Sequence, residues 1–144
     1  DYNFMTGKQT KATVITKSRD DFSTNSQASS KWFELEIIVD DNIQNLSSNE
    51  LIANYLQEIN KTLHPSTKTV TDKINKSLKP YRNAQIDGMY AVFGYDYDYD
   101  VIVQTKNNKI YTFQYYGDNG GKVNPDVEKS ITKILSTFKF IDQK

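Results

Sequence analysis

Two alternating stretches, Val101 to Lys106 and Lys109 to Tyr116, are separated only by Asn107-Asn108. A two-residue link between strands fits an antiparallel hairpin, and asparagine tolerates the positive φ that such a turn demands. In the second arm Ile110 and Thr112 share one face, while Tyr111, Phe113 and Tyr115 share the other. The same period-two pattern occurs in Trp32 to Asp40, where Phe33, Leu35, Ile37 and Val39 oppose Trp32, Glu34, Glu36 and Ile38. This pattern predicts an antiparallel sheet with one face on a core and the other at least half wet. The β-branched run Thr13, Val14, Ile15, Thr16 predicts one further strand, and Met89 to Tyr95 another. Ala84 and Ile86 alternate with polar neighbours, and Asp87-Gly88 reads as a turn or bulge.

Helices interrupt the strands. Ser47 and Glu50 have capping-box spacing, and Leu46 can staple to Leu51. An apolar stripe then runs through Leu51, Ile52, Tyr55, Leu56, Ile59 and Leu63, ending near His64 because Pro65 disfavours helix before it. Asn124-Pro125 opens a second helix with a buried face of Val127, Ile131, Ile134, Leu135 and Phe138. Phe138, Phe140 and Ile141 read as a short closing strand. Val70 to Lys79 fits either a strand or a helical turn, and ends at Pro80. Ser18 to Lys31 and Gly117 to Gly121 read as loops. The fold class is therefore α+β, an antiparallel β-sheet flanked by helices, in one domain spanning residues 1–144.

Composition narrows the chemistry. Aromatic residues make up 12% of the chain, and 18 basic residues balance 18 acidic ones, so the mean hydropathy of −0.69 does not signal disorder. A neutral chain with no long basic cluster offers no field for nucleic acid. There is no cysteine, which removes disulfides, thiolate catalysis and cysteine-based metal sites. The only histidine is His64, read as a capping cation at a helix end, which leaves no triad chemistry without it. No apolar run approaches the length of a membrane span. Because the chain begins at Asp1, it reads as a processed or excised piece, and a signal peptide or anchor upstream would lie outside it.

From Lys31 onward the order of elements resembles the PsbP-like family, photosystem II extrinsic protein P and its non-photosynthetic relatives. The segments that carry the resemblance are KWFELEIIVDD, LSSNELIANYLQEI, AQIDGMYAVFGY, KIYTFQYYG and ITKILSTFKFID, with Ser136, Phe138 and Phe140 in the closing pattern. The family's opening aromatic strand and Pro…Trp turn are not visible in Asp1–Lys17, so the N-terminal strand region is truncated or divergent. The resemblance implies an α/β/α sandwich outside the cytoplasm, secreted or membrane-anchored. It implies a non-catalytic role, binding a protein partner or envelope component.

Three local features could carry function. In Tyr95-Asp96-Tyr97-Asp98-Tyr99-Asp100, an extended backbone puts Asp96, Asp98 and Asp100 on one face, about 7 Å apart. Carboxylates suit a divalent cation such as calcium, but strand spacing is wide for one ion and the EF-hand Gly and Glu are absent. The plainer reading is a strand end or turn with wet carboxylates. Tyr95, Tyr97, Tyr99, Tyr115 and Tyr116 form a candidate binding surface, against the plainer reading that tyrosine replaces leucine in a sheet core. Glu34 and Glu36 are paired carboxylates with no supporting motif, and Asp118-Asn119-Gly120-Gly121 reads as a turn. The leading expectation is a non-enzymatic binding domain without a cofactor. The alternative is a small-ligand or metal module using the sheet's concave face or the aspartates.

Overall fold

The structure is a computed structural model, and it describes residues 13–16, 33–61, 64–117 and 125–140. Its elements are β1 (Thr13–Thr16), β2 (Phe33–Asp41), α1 (Ser48–Asn60), α2 (Ser66–Ser77), β3 (Lys79–Arg82), β4 (Asp87–Phe93), β5 (Tyr99–Lys106), β6 (Lys109–Gly117) and α3 (Pro125–Ser136). Six strands form one sheet in the order β1-β2-β6-β5-β4-β3, with every pairing antiparallel. After β2 the chain crosses through α1 and α2 to the far edge. It then returns as a meander, β3 to β6, until β6 pairs with β2.

The β5–β6 hairpin turns on Asn107 and Asn108, with φ of 51° and 61°, as a two-residue turn requires. The Asn108 carbonyl also accepts the Asn42 N–H at 2.8 Å, which ties the turn to the exit of β2. Asn42 is buried and holds Leu46 at both ends: its Nδ2 donates to the Leu46 carbonyl (2.8 Å), and its Oδ1 accepts the Leu46 N–H (2.9 Å). Leu46 thereby enters the core beside Leu51. Ser47 and Glu50 complete the capping box of α1 as the sequence predicts.

Both faces of the sheet are covered. On one face α3 places Val127, Ile131 and Leu135 against Phe33, Leu35, Ile102, Phe113 and Tyr115. On the other, Leu51 and Ile52 of α1 and Ile74 of α2 meet Ala91, Phe93, Val101, Val103 and Ile110. The result is an α+β fold in three layers. The second face of β2 is therefore not half wet: Ile38 is fully buried, and Glu36 is 7% exposed. Among the described residues, no helix is long and apolar enough to cross a membrane.

Several local expectations are corrected. Val70 to Ser77 is helical, because Val70 and Ile74 point the same way at helical spacing into the second core. Pro80 does not end an element but sits in β3, an edge strand whose outer side needs no N–H. Asp87-Gly88 is paired strand, with Gly88 opposite Tyr81, and a side chain at Gly88 would collide with the Val103 carbonyl. Ala84 lies in the β3–β4 loop, which Asn83 organises by accepting the N–H groups of Gln85 and Ile86 at 2.8 and 2.7 Å. Phe138 and Phe140 form no strand. They lie edge-on to Phe113 and Tyr111, at 4.9 and 4.7 Å between ring centres. The cap at Asn124, the Ser18–Lys31 loop, Trp32, Leu63, the Asp118–Gly121 turn and Ile141 lie outside the described residues.

Ser47→Ala should lower the unfolding free energy by about 1 kcal/mol, and Ser47→Gly by only a few tenths. Gly88→Ala should cost more than Ser47→Ala, because the new methyl group meets backbone. Urea titrations followed by circular dichroism check all three.

Candidate functional site

The acidic–tyrosine run is a turn that leads into β5. Gly94, at φ 107°, reverses the chain after β4, and a Cβ there would meet the Tyr97 carbonyl. Lys73 of α2 secures the turn beyond Gly94. Its ammonium pairs with Asp98 Oδ1 at 2.7 Å and donates to the Tyr95 carbonyl at 3.2 Å. The turn is thus fastened at both ends while Tyr95 and Tyr97 project outward, 52% and 54% exposed.

The structure does not bring the three aspartates together. Asp96 is exposed, Asp98 faces Lys73, and Asp100 is buried within β5, accepting the Tyr90 hydroxyl. Among the described residues no group of three or more histidines or carboxylates could hold a metal ion. The five tyrosines also separate. Tyr115 is 1% exposed in the α3-side core, while Tyr99 and Tyr116 pack edge-on, 5.0 Å apart, on the opposite face. Tyr95 and Tyr97 are exposed, Tyr99 and Tyr116 are half-buried, and Tyr115 is buried.

Beneath the turn lies a cleft of about 360 Å³ lined by Lys73, Lys76, Ser77, Tyr90, Val92, Asp98 and Asp100. Three elements build it. Helix α2 supplies Lys73, Lys76 and Ser77 at helical spacing on one side. Strand β4 supplies Tyr90 and Val92, and the entry to β5 supplies the carboxylates. Ser77 fixes the helix to the sheet, since its hydroxyl accepts the Val92 N–H (2.7 Å) and donates to the Lys73 carbonyl (2.7 Å). This plugs the stretch of β4 that β3 is too short to cover.

Burial, the hydrogen bond to Asp100 and the surrounding carboxylates push the Tyr90 phenol far up, so it stays a donor. Tyr115 is likewise pushed up by burial and by Asp100 and Glu128, and donates to Glu128 Oε1 at 3.1 Å. Tyr99 is raised by burial and by Glu36 and Glu34. The Tyr90 and Tyr115 hydroxyls thus serve as donors to Asp100 and Glu128.

Glu34 and Glu36 share a face of β2, but Glu36 is a buried carboxylate held by Gln114 Nε2 at 2.9 Å. His64 caps α2 rather than α1: its Nδ1 lies 2.5 Å from Ser66 Oγ and accepts the Ser66 N–H at 3.2 Å. Lys73, Lys76 and Ser77 are absent from the residues predicted for a site. Their signal is the helical reading of Val70 to Lys79, which puts Lys73, Lys76 and Ser77 on one side.

Compared with known proteins, the chain matches no family model, and no curated protein shows significant similarity to it.

Lys73→Met should release the turn, speeding amide exchange at residues 95–98 with little change in α3. The half-exposed ion pair limits the global loss to less than about 1 kcal/mol. Hydrogen exchange by mass spectrometry checks this. Burial raises the Glu36 pKa above its ordinary 4.5, opposed by the Gln114 hydrogen bond and reinforced by Glu34. The protonated form therefore favours folding below pH 4.5, and that advantage is lost as pH rises through the raised value. Glu36→Gln should raise the melting temperature at pH 7, with the gain shrinking below pH 4.5.

Proposed function

We propose that this chain is a non-catalytic binding domain of the PsbP-like type. In this reading it is exported, secreted or membrane-anchored, and holds a protein partner at the cell envelope through the Tyr95–Tyr97 turn. The observation that carries the reading is the fastening of that turn by Lys73 while two tyrosines stand more than half exposed. Rigid, exposed tyrosines offer large contact area at low entropic cost, which is the property of binding hot spots. The order of elements supports the family reading: a long strand, a capped helix, a meander and a closing helix, the segments on which the resemblance rests. The non-catalytic part of this reading comes from the family resemblance.

The experiment is site-specific photocrosslinking in the source cells. A photoreactive phenylalanine analogue at Tyr95 or Tyr97 should capture the same discrete envelope protein, and one at Lys129 on α3 should not. Tyr97→Ser should weaken binding to the captured protein about tenfold or more. Equal capture at all three positions, or none, removes the turn as the contact surface. Fractionation of the same cells tests the export reading, which fails if the chain stays in the cytoplasm.

A further inference from the structure

The cleft under the tyrosine turn has a charge pattern the partner reading does not use. Its cations, Lys73 and Lys76, come from α2, and its carboxylates, Asp98 and Asp100, come from the entry to β5. Two positive and two negative groups make the lining neutral overall, but the signs are carried on different elements. The Lys73–Asp98 ion pair already joins an ammonium of one side to a carboxylate of the other at 2.7 Å. Between them are donors of fixed protonation and one apolar surface: Tyr90, whose hydroxyl is committed to Asp100, and Val92.

A purely anionic ligand would meet Asp98 and Asp100, and a purely cationic one would meet Lys73 and Lys76. A ligand with both charges a few bonds apart meets neither repulsion. The volume, about 360 Å³, lies in the range of small-molecule sites and suits a ligand of roughly ten heavy atoms. We propose that this cleft binds a free α-amino acid. Its ammonium faces Asp98 and Asp100, its carboxylate faces Lys73 and Lys76, and its side chain lies along Val92 and the Tyr90 ring. The ligand's two charged groups take over, on their respective sides, the roles that Lys73 and Asp98 fill for each other. The site is distinct from the exposed tyrosines, so the inference does not rest on the partner reading.

The test is a titration of the whole chain, isotopically labelled, with each of the common L-amino acids, followed by amide chemical shifts. At least one should shift Ser77, Tyr90, Val92 and Asp98 together, with saturation in the micromolar to millimolar range. The N-acetylated form of that amino acid lacks the ammonium, and the corresponding decarboxylated amine lacks the carboxylate. Each should bind about tenfold or more weakly. Asp100→Asn preserves an acceptor for Tyr90, and Lys76→Gln changes an exposed helical position. Both should weaken binding about tenfold, with melting temperatures near that of the parent. Tyr95→Ser combined with Tyr97→Ser should leave it intact, which separates this site from the partner surface. No saturable shift at the cleft with any amino acid overturns the proposal. So does equal binding of the acetylated acid, which would make the site anionic in preference, or of the amine, which would make it cationic. If Lys76→Gln folds and binds normally, the assigned carboxylate contact is wrong and the proposal falls with it.

Discussion

The pairing of β2 with β6 is the constraint on which the rest of the molecule depends. Nine residue pairs, from Phe33↔Gly117 to Asp41↔Lys109, join the strand that opens the main body of the sheet to the one that closes the meander. The register puts Leu35 beside Tyr115 and Ile38 beside Thr112, so each face receives its own buried set. A slip of one residue would invert both faces, exposing Leu35 and sending Glu34 toward the α3 core. Because the pairing is long range, it forms only if the intervening helices and hairpins leave the two strands within reach. The Asn42–Leu46 hydrogen bonds and the Asn108 carbonyl fix that reach at one end of the pair.

With β6 committed to β2, the meander must start at the opposite edge, and this sends α2 along the flank of β4. The edge is managed locally. Strand β3 is four residues long and carries Lys79, Pro80 and Arg82, residue types that discourage further strand addition. Where β3 stops short, Ser77 takes the Val92 N–H that a longer strand would have taken. That substitution of a side chain for a strand is what opens the cleft. A helix end cannot lie as close to β4 as a paired strand would, and the gap is lined by whatever α2 presents, here Lys73 and Lys76.

Every described strand except β3, and two of the three described helices, were legible from the spacing and type of their residues. The capping box at Ser47 and Glu50 and the turn at Asn107-Asn108 mark boundaries by chemistry as well as pattern. Helix α2 was ambiguous because its polar sequence buries only Ile74 fully, with Val70 partly buried one turn earlier, leaving two apolar contacts in three turns to reveal the period. The polar appearance of Glu36 misled for the opposite reason. Its partner Gln114 lies 78 residues away, and only the β2–β6 register brings the two together. Tyr115 could not be separated from Tyr95 and Tyr97 by type. What divides them is position: one is mid-strand under α3, the others sit on a turn. The candidate site was half legible. The acidic–tyrosine run was visible, but the lysines that organise it were hidden with α2.

Buried polar groups run along the whole length of the central strands. Glu36, Gln114, Tyr115 and Asp100 lie in adjoining register positions across β2, β6 and β5, alternating between the two faces. Toward the other end of the same strands Thr112, Gln104 and Asn42 are buried among Ile38, Val103 and Ile110. Each buried polar group costs about 1–3 kcal/mol if its partner is lost, so both ends depend on specific hydrogen bonds as well as on contact area. The tyrosine turn and the cleft both sit at the Asp100 end, where Asp100 is shared between the core hydrogen bond from Tyr90 and the cleft wall. A ligand that alters the charge around Asp100 therefore acts on a residue inside the sheet, directly opposite Tyr115 and its Glu128 contact on α3.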